Sequence, residues 1–129
     1  MAVRAAPRLG HAVALHPEPE RFQDAAHGEL LAAPPWMHGV CFNPGCGAAF
    51  DPGRHWQIYC GAACQAAGNR EMRKWGHKAA LPLLLWRMGR YEKQDAGVVD
   101  LTRAARRYIG QVQSAWLADR TFRMEGATG

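Results

Sequence analysis

The residues of this chain with the clearest chemical potential are four cysteines in two close pairs. Four residues separate Cys41 from Cys46, three separate Cys60 from Cys64, and thirteen lie between the pairs. Two such pairs are typical of a zinc site, because Zn²⁺ takes four sulfur ligands in a tetrahedron. Four thiolates leave no open position for a substrate, so we expect Zn²⁺ here as a structural cofactor.

Other interpretations of these thiols stay open at the level of sequence. The cysteines could be unligated, or they could form disulfides or a redox pair, although neither pair has the C-x-x-C spacing of thioredoxin-like sites. His38 and His55 lie near the cysteines in the sequence, and either could replace one thiolate as a ligand.

Basic residues gather after the cysteines. The chain of 129 residues has a net charge of +5, and residues 70–129 carry more basic side chains than acidic ones, whereas residues 1–40 do not. Two groups at helical spacing could contact phosphates and base edges. The first group is Asn69, Arg70, Arg73, Lys74 and His77, and the second is Arg103, Arg106 and Arg107. Each group could equally be a solvated helix face.

These features favour a zinc-stabilised protein that binds nucleic acid, most simply duplex DNA, in a regulatory or mobile-element context. The alternative is a zinc-stabilised protein–protein interaction module without nucleic-acid contact, for which Trp36 is the candidate partner-facing aromatic. We find no metalloprotease, nucleotide-binding, esterase or deaminase motif, so we do not expect an enzyme. A zinc-finger-containing nuclease stays open as an alternative, with Asp51 and His55 as the nearby acidic and histidine pair.

The elements that must position these residues follow from local patterns. Short strands are expected at residues 48–50 and 56–59, joined by the turn sequence Asp51-Pro52-Gly53. A helix should begin near Cys60 and end where Leu81-Pro82 starts a second helix. A third helix should begin with Asp100 as its N-cap and fray after Arg120. A short helix is also expected within residues 20–31.

The predicted fold is therefore a small α+β zinc-binding module followed by an α-helical hairpin, mostly α overall. We assign residues 1–38 to an extension, 39–80 to the zinc module, 81–120 to the hairpin and 121–129 to a flexible tail. The predicted helical core consists of Met72, Trp75, Leu84, Leu85, Met88, Tyr108, Ile109, Val112 and Trp116. The last helix could also pair with a second copy of the chain.

The segment 39–78 resembles the treble-clef-type four-cysteine zinc fingers of small bacterial and phage proteins. The resemblance rests on Cys41-Phe-Asn-Pro-Gly-Cys46, Phe50, and Tyr59-Cys60-x-x-x-Cys64 followed by a basic helix. It implies a zinc knuckle, a hairpin and a helix, with all four cysteines as ligands. Gly68-Asn69-Arg70 is also similar to the CGNR zinc finger of putative transcription regulators, but Ala67 stands where that family has cysteine.

The chain has no apolar run long enough for a membrane span, and its first fifteen residues make a poor signal peptide. We therefore expect a cytoplasmic protein, where thiols stay reduced.

Overall fold

The computed structural model describes residues 18–32, 37–54 and 56–128. Within these residues the chain is mostly helical, with two short helices, α1 (Phe22–Ala25) and α2 (His27–Ala32), and two long ones, α3 (Ala62–Gly89) and α4 (Ala96–Thr128). The predicted short helix at residues 20–31 is thus two helices interrupted at Ala26. None of the described helices is long and apolar enough to cross a membrane.

The two long helices form a hairpin. The rings of Trp75 and Trp116 stack with centroids 6.1 Å apart and planes inclined by 9°. At the other end, Gly89 lies against Thr102, whose hydroxyl donates to the carbonyl of Val98. A side chain at position 89 would overlap the Thr102 hydroxyl, so glycine allows the helices to approach closely where they turn back.

The predicted break at Leu81-Pro82 is wrong, because α3 continues through Pro82 to Gly89. Proline removes one helical hydrogen bond, the one that the carbonyl of Lys78 would accept, and this costs about 3 kcal/mol in a helix interior. Lys78 is exposed, so water can solvate its carbonyl. Packing of α3 against α4 stabilises the continuous helix.

Helix α4 is longer at both ends than predicted. It begins at Ala96, and the N-cap is Asp95 and not Asp100: Asp95 Oδ1 accepts from the backbone N–H groups of Gly97 (3.0 Å) and Val98 (3.2 Å). It also does not end at Arg120, because it runs on to Thr128. Asp100 lies within the first turns of the helix, where its side chain is exposed.

The core is smaller than predicted and extends along the hairpin, from Trp75 near the cysteines to Ala105 near the turn between the two long helices. Among the described residues, the buried apolar side chains are Cys41, Tyr59, Trp75, Ala105 and Val112. Of the predicted core, Leu85, Ile109 and Trp116 are half-buried. The prediction is wrong for the four residues that the structure exposes, which are Met72, Leu84, Met88 and Tyr108. The two-helix hairpin has too few layers to cover both sides of each helix.

The two strands predicted around Asp51-Pro52-Gly53 do not pair with each other in the described residues. Instead, the segment before and including Cys41 pairs with residues 48–50, through a single antiparallel bridge between Val40 and Ala49. The neighbouring Phe42 N–H donates to the carbonyl of Ile58 at 2.7 Å. Residues 39–42 therefore lie between the two segments that were expected to be partners.

Candidate metal centre and basic surfaces

The sulfur atoms of Cys41, Cys46, Cys60 and Cys64 lie within 4.8 Å of one another. The Sγ atom of Cys60 is 3.9 Å from that of Cys46 and 3.8 Å from that of Cys64. A tetrahedron with Zn–S bonds of about 2.3 Å has edges of about 3.8 Å. These four thiols could therefore hold one metal ion, and the separations of 3.9 and 3.8 Å match a zinc tetrahedron.

A tight turn positions the first pair of cysteines. The carbonyl of Asn43 accepts from the N–H groups of Cys46 (2.9 Å) and Gly47 (3.2 Å), while its side-chain Oδ1 accepts from Gly45 N–H. Gly47 has φ of +68°, a left-handed conformation that glycine adopts without steric cost. The turn folds the chain back so that the sulfur of Cys46 meets that of Cys60.

The start of α3 positions the second pair. Cys64 is in the first turn of α3, and Cys60 lies just before the helix, four residues earlier. The extended Gly61 leads the chain into the helix with the sulfurs of Cys60 and Cys64 3.8 Å apart. The free N–H groups and the dipole at a helix start also stabilise thiolate charge.

Hydrogen bonds from Asn43 and from the backbone reach the sulfurs. Asn43 Nδ2 donates to Cys64 Sγ at 3.3 Å, and the N–H of Cys60 donates to Cys41 Sγ at 3.4 Å. Burial raises the pKa of the Cys41 thiol, but backbone hydrogen bonds from Cys60 and Asn43 outweigh it, so the pKa falls below its ordinary value. Asn43 thus supports both the turn and the ligand set, and sequence reasoning missed its hydrogen bond to Cys64.

The pKa values of the Cys60 and Cys64 thiols are raised when no metal is bound. Hydrogen bonding with the thiol of Cys64, and with those of Cys41 and Cys46, raises the pKa of Cys60 to about 12. A metal that binds here must displace those protons, because thiolates are the ligands. The exposed His38 is not part of the cluster of potential ligands, and His55 and Trp36 lie outside the described residues.

A buried carboxylate, Glu71, ties the cysteine segment to both long helices. Its side chain is 4% exposed and accepts from Trp116 Nε1 at 2.7 Å. Arg120 Nη1 donates to both carboxylate oxygens, at 2.8 and 2.7 Å, and Arg123 Nη2 donates to Oε2 at 2.9 Å. Four hydrogen bonds from two cations and an indole satisfy a charge that would otherwise be costly to bury.

Arg120 carries this network from the hairpin to the metal-binding segment. Its Nη2 donates to the backbone carbonyl of Phe42, and its guanidinium lies 3.9 Å from the centroid of the Phe42 ring. Phe42 is the residue after Cys41, so the network fixes the first cysteine pair relative to α4. Sequence reasoning missed Glu71 and Arg120, although Glu71 stands out as the one acidic residue in α3.

Tyr59 and Gly68 form a second contact between the cysteine segment and α3. Tyr59 is 4% exposed, and a side-chain carbon at position 68 would overlap its Cζ and Oη atoms. Gly68, singled out in the Gly-Asn-Arg motif, thus allows the ring before Cys60 to pack on the helix. The hydroxyl of Tyr59 has no hydrogen-bond partner among the described residues.

Four of the five residues in the first predicted basic group lie together. Arg70, Arg73, Lys74 and His77 line one shallow groove of about 400 Å³ on α3, and each is exposed. Asn69 is exposed too, but it lines a different groove and accepts from Gln65 Nε2 at 3.1 Å. The helix that carries the groove is anchored by the cysteine cluster at its start and by Glu71.

The second predicted basic group lies on α4. Arg103, Arg106 and Arg107 line a separate groove of about 380 Å³ that shares no residue with the first. The guanidinium of Arg106 also lies 5.7 Å from the ring centroid of Trp86 on α3. The two groups therefore form two distinct cationic surfaces.

No family model, curated protein or solved structure matches this chain.

Proposed function

We propose that this chain is a zinc-stabilised nucleic-acid-binding protein that contacts duplex DNA through α3. The observation that carries the proposal is the groove of Arg70, Arg73, Lys74 and His77 on a helix that begins at two of the four clustered cysteines, one just before it and one in its first turn. A bound Zn²⁺ would fix this helix relative to residues 41–46. The cationic groove would then be presented to phosphates as a rigid surface.

The arrangement supports a treble-clef-like finger, but with less strand pairing than the resemblance implies. A tight turn carries one cysteine pair and a helix start carries the other, while the connecting segment has a single β-bridge. We propose zinc over other metals because four thiolates at tetrahedral separations are its preferred structural site. Thiols that stay reduced and bind a metal are typical of a reducing cytoplasm, which is the proposed location. The proposed setting is a bacterial or phage protein with a regulatory or mobile-element role.

The charge of the two grooves indicates that contacts with phosphates contribute more to the binding affinity than contacts with base edges. The α3 groove has no acidic residue among its lining side chains, and neither has the α4 groove. Asn69 lies one helical turn before Arg73, so an amide is available next to the cationic surface for contact with a base edge. We propose that the α4 cluster adds a second, weaker phosphate contact.

The test is fluorescence anisotropy of the zinc-loaded protein with random duplex DNA, titrated across salt concentration. We expect log K to fall with log salt at a slope of about −3 or steeper, since each neutralised phosphate contributes about −0.9. The double variant Arg73→Ala/Lys74→Ala should flatten the slope by about 2 and keep the fold. Arg87→Ala/Lys93→Ala is the matched control, because it removes two exposed charges outside both grooves.

No binding at low salt by protein that carries zinc would refute the proposal. Equal slopes for the groove variant and the control would show that the α3 groove is not the contact surface. A flattened slope in Arg103→Ala/Arg107→Ala alone would place the contact on α4.

A second candidate, a protein-interaction module, is favoured by the apolar surface of the hairpin. None of the leucines in the described residues is buried. Leu101, Tyr108 and Phe122 are spaced by multiples of seven along α4 and are 49%, 43% and 75% exposed. A seven-residue repeat keeps side chains on one side of a supercoiled helix, which is the pattern of a helix–helix seam.

We propose a second copy of this chain as the partner on that stripe. Leu81, Leu84 and Met88 of α3 are also exposed at helical spacing. A partner hairpin would complete a four-helix arrangement around a core that one copy leaves open.

Light scattering after size exclusion tests this candidate. A dimer should have twice the chain mass of 14.2 kDa. Leu101→Glu should yield a monomer, whereas Leu117→Glu, also exposed but sixteen residues further along on another side of α4, should not. A wild-type monomer at high concentration would exclude the dimer.

A further inference from the structure

A groove of about 640 Å³ lies beside the cysteine cluster and is distinct from both cationic grooves. One wall is the start of α3, with Gln65, Asn69 and Met72. The opposite side is formed by Trp56 in the loop before α3 and by Arg21 just before α1. This volume is within the range of about 300–1,000 Å³ that small organic ligands occupy.

Two guanidinium groups lie over the indole of Trp56 in this groove. Arg21 is 4.3 Å and Arg54 is 5.4 Å from the ring centroid. Arg21 also forms an exposed ion pair with Asp24 at 3.2 Å through Nε, an interaction of little strength in water. None of the described side chains lining the groove is acidic, so it favours an anion.

The other lining groups suit a flat, hydrogen-bonding ring. Met72 is 38% exposed and offers a polarizable apolar surface. The Oδ1 atom of Asn69 accepts a hydrogen bond from Gln65, so the two amide N–H groups of Asn69 can donate to a ligand. Guanidinium planes and aromatic rings are surfaces on which unpaired bases stack. An anionic group joined to an aromatic ring with hydrogen-bonding edges is the chemistry of a nucleotide.

Helix α3 connects this groove to the cationic surface. Asn69 lines the Trp56 groove, and Arg73, one turn further on, lines the groove with Arg70 and Lys74. Residues four apart are neighbours on a helix surface, about 5–6 Å from each other. A strand whose phosphates follow the cationic groove can therefore reach the Trp56 groove with its next nucleotide.

We infer that the Trp56 groove binds an unpaired nucleotide, so that the protein prefers nucleic acid in which a duplex adjoins a single strand. The inference rests on the proposed function, because the duplex is held by the α3 groove. It adds a specificity for nucleic-acid structure that the basic residues alone do not give.

The experiment compares a blunt DNA duplex with the same duplex carrying a short single-stranded overhang, using zinc-loaded protein and anisotropy. We expect the overhang to tighten binding at least about five-fold, the lower end for one base stacked on an aromatic side chain. Trp56→Leu should remove this preference and keep affinity for the blunt duplex. Tyr91→Leu is the matched control, because Arg87 and Arg90 lie over Tyr91 in the same way outside every groove described above.

Each outcome is decisive. Equal affinity of the wild type for both DNAs, or an unchanged preference in Trp56→Leu, overturns the inference and leaves the proposed function standing. No binding to either DNA overturns both. If Trp56→Leu loses zinc or helicity, the exposed variant Asn69→Ala replaces it, and an undiminished preference in that variant overturns the inference.

Discussion

Removal of the Glu71 carboxylate should destabilise the zinc-loaded protein severely. In Glu71→Ala, the guanidinium groups of Arg120 and Arg123 and the indole N–H of Trp116 lose their shared acceptor. The Arg120 side chain is 16% exposed, so water compensates its charge only in part. Removal of one partner from a buried ion pair costs about 3–5 kcal/mol, because the remaining charge stays buried.

That loss is a large part of the whole stability, which for a domain is about 5–15 kcal/mol. With an unfolding entropy of about 2.1 cal/mol/K per residue, it corresponds to a fall in Tm of roughly 10–18 °C for a chain of this length. Thermal unfolding followed by circular dichroism, at saturating zinc, measures this shift. Glu71→Gln should fall between the two proteins, because it can still accept from Trp116 Nε1 but no longer pairs with two cations.

The matched control is Glu29→Ala, which removes an exposed carboxylate from a helix. It should change the stability by less than about 0.5 kcal/mol, as surface substitutions do. A Tm for Glu71→Ala within about 3 °C of the control would refute the argument that this network joins α3, α4 and the cysteine segment.

Further predictions concern the backbone and the thiols. Gly68→Ala should lower the free energy of unfolding by about 1–3 kcal/mol, because the new methyl group overlaps the Tyr59 ring. Gly76 has open space around it, so Gly76→Ala should instead stabilise α3 by about 0.5–1 kcal/mol. Thermal unfolding of the two variants measures both changes. Pro82→Ala should raise the Tm, because it restores a helical hydrogen bond and removes the clash of the proline ring, which together cost up to about 3 kcal/mol. An unchanged Tm would show that α3 adapts fully to proline. Zinc affinity should rise with pH and fall on acidification, because thiols such as Cys60, with a pKa of about 12 without metal, must lose protons on binding. Competition with a zinc chelator between about pH 6 and 8 should show release of nearly four protons per ion, and a pH-independent affinity would contradict thiolate ligation.

The candidate metal centre could be predicted from the sequence, because the spacing of its ligands is a local feature of the chain. A tight turn within the first pair, and the short spacing across the helix start within the second, bring the sulfurs of each pair together, so spacing alone predicts the pairs. The grouping of Arg70, Arg73, Lys74 and His77 followed for the same reason, since helical periodicity sets it. Their contact with nucleic acid stays a prediction.

Features that depend on tertiary packing were missed. Pro82 has a strong local preference to end a helix, and contacts with α4 override it. Asp95 and Asp100 are both good N-cap residues, and sequence does not decide between them. Glu71 reads as a surface residue because its partners, Arg120 and Arg123, lie about fifty residues away. The exposed Leu84 and Met88 were assigned to the core because apolar periodicity does not show how many layers a fold contains.

The central claim, that four thiolates hold one structural zinc ion, is tested most directly by native mass spectrometry of the intact protein. One bound Zn²⁺ should add about 63 Da at a given ion charge, because its two charges displace a net two protons, in a single form with one metal per chain. Cys60→Ser should lose that species and the helical signal of the segment around it. A chain without metal after purification in zinc, or a loss of about 4 Da from two disulfides, would contradict the account.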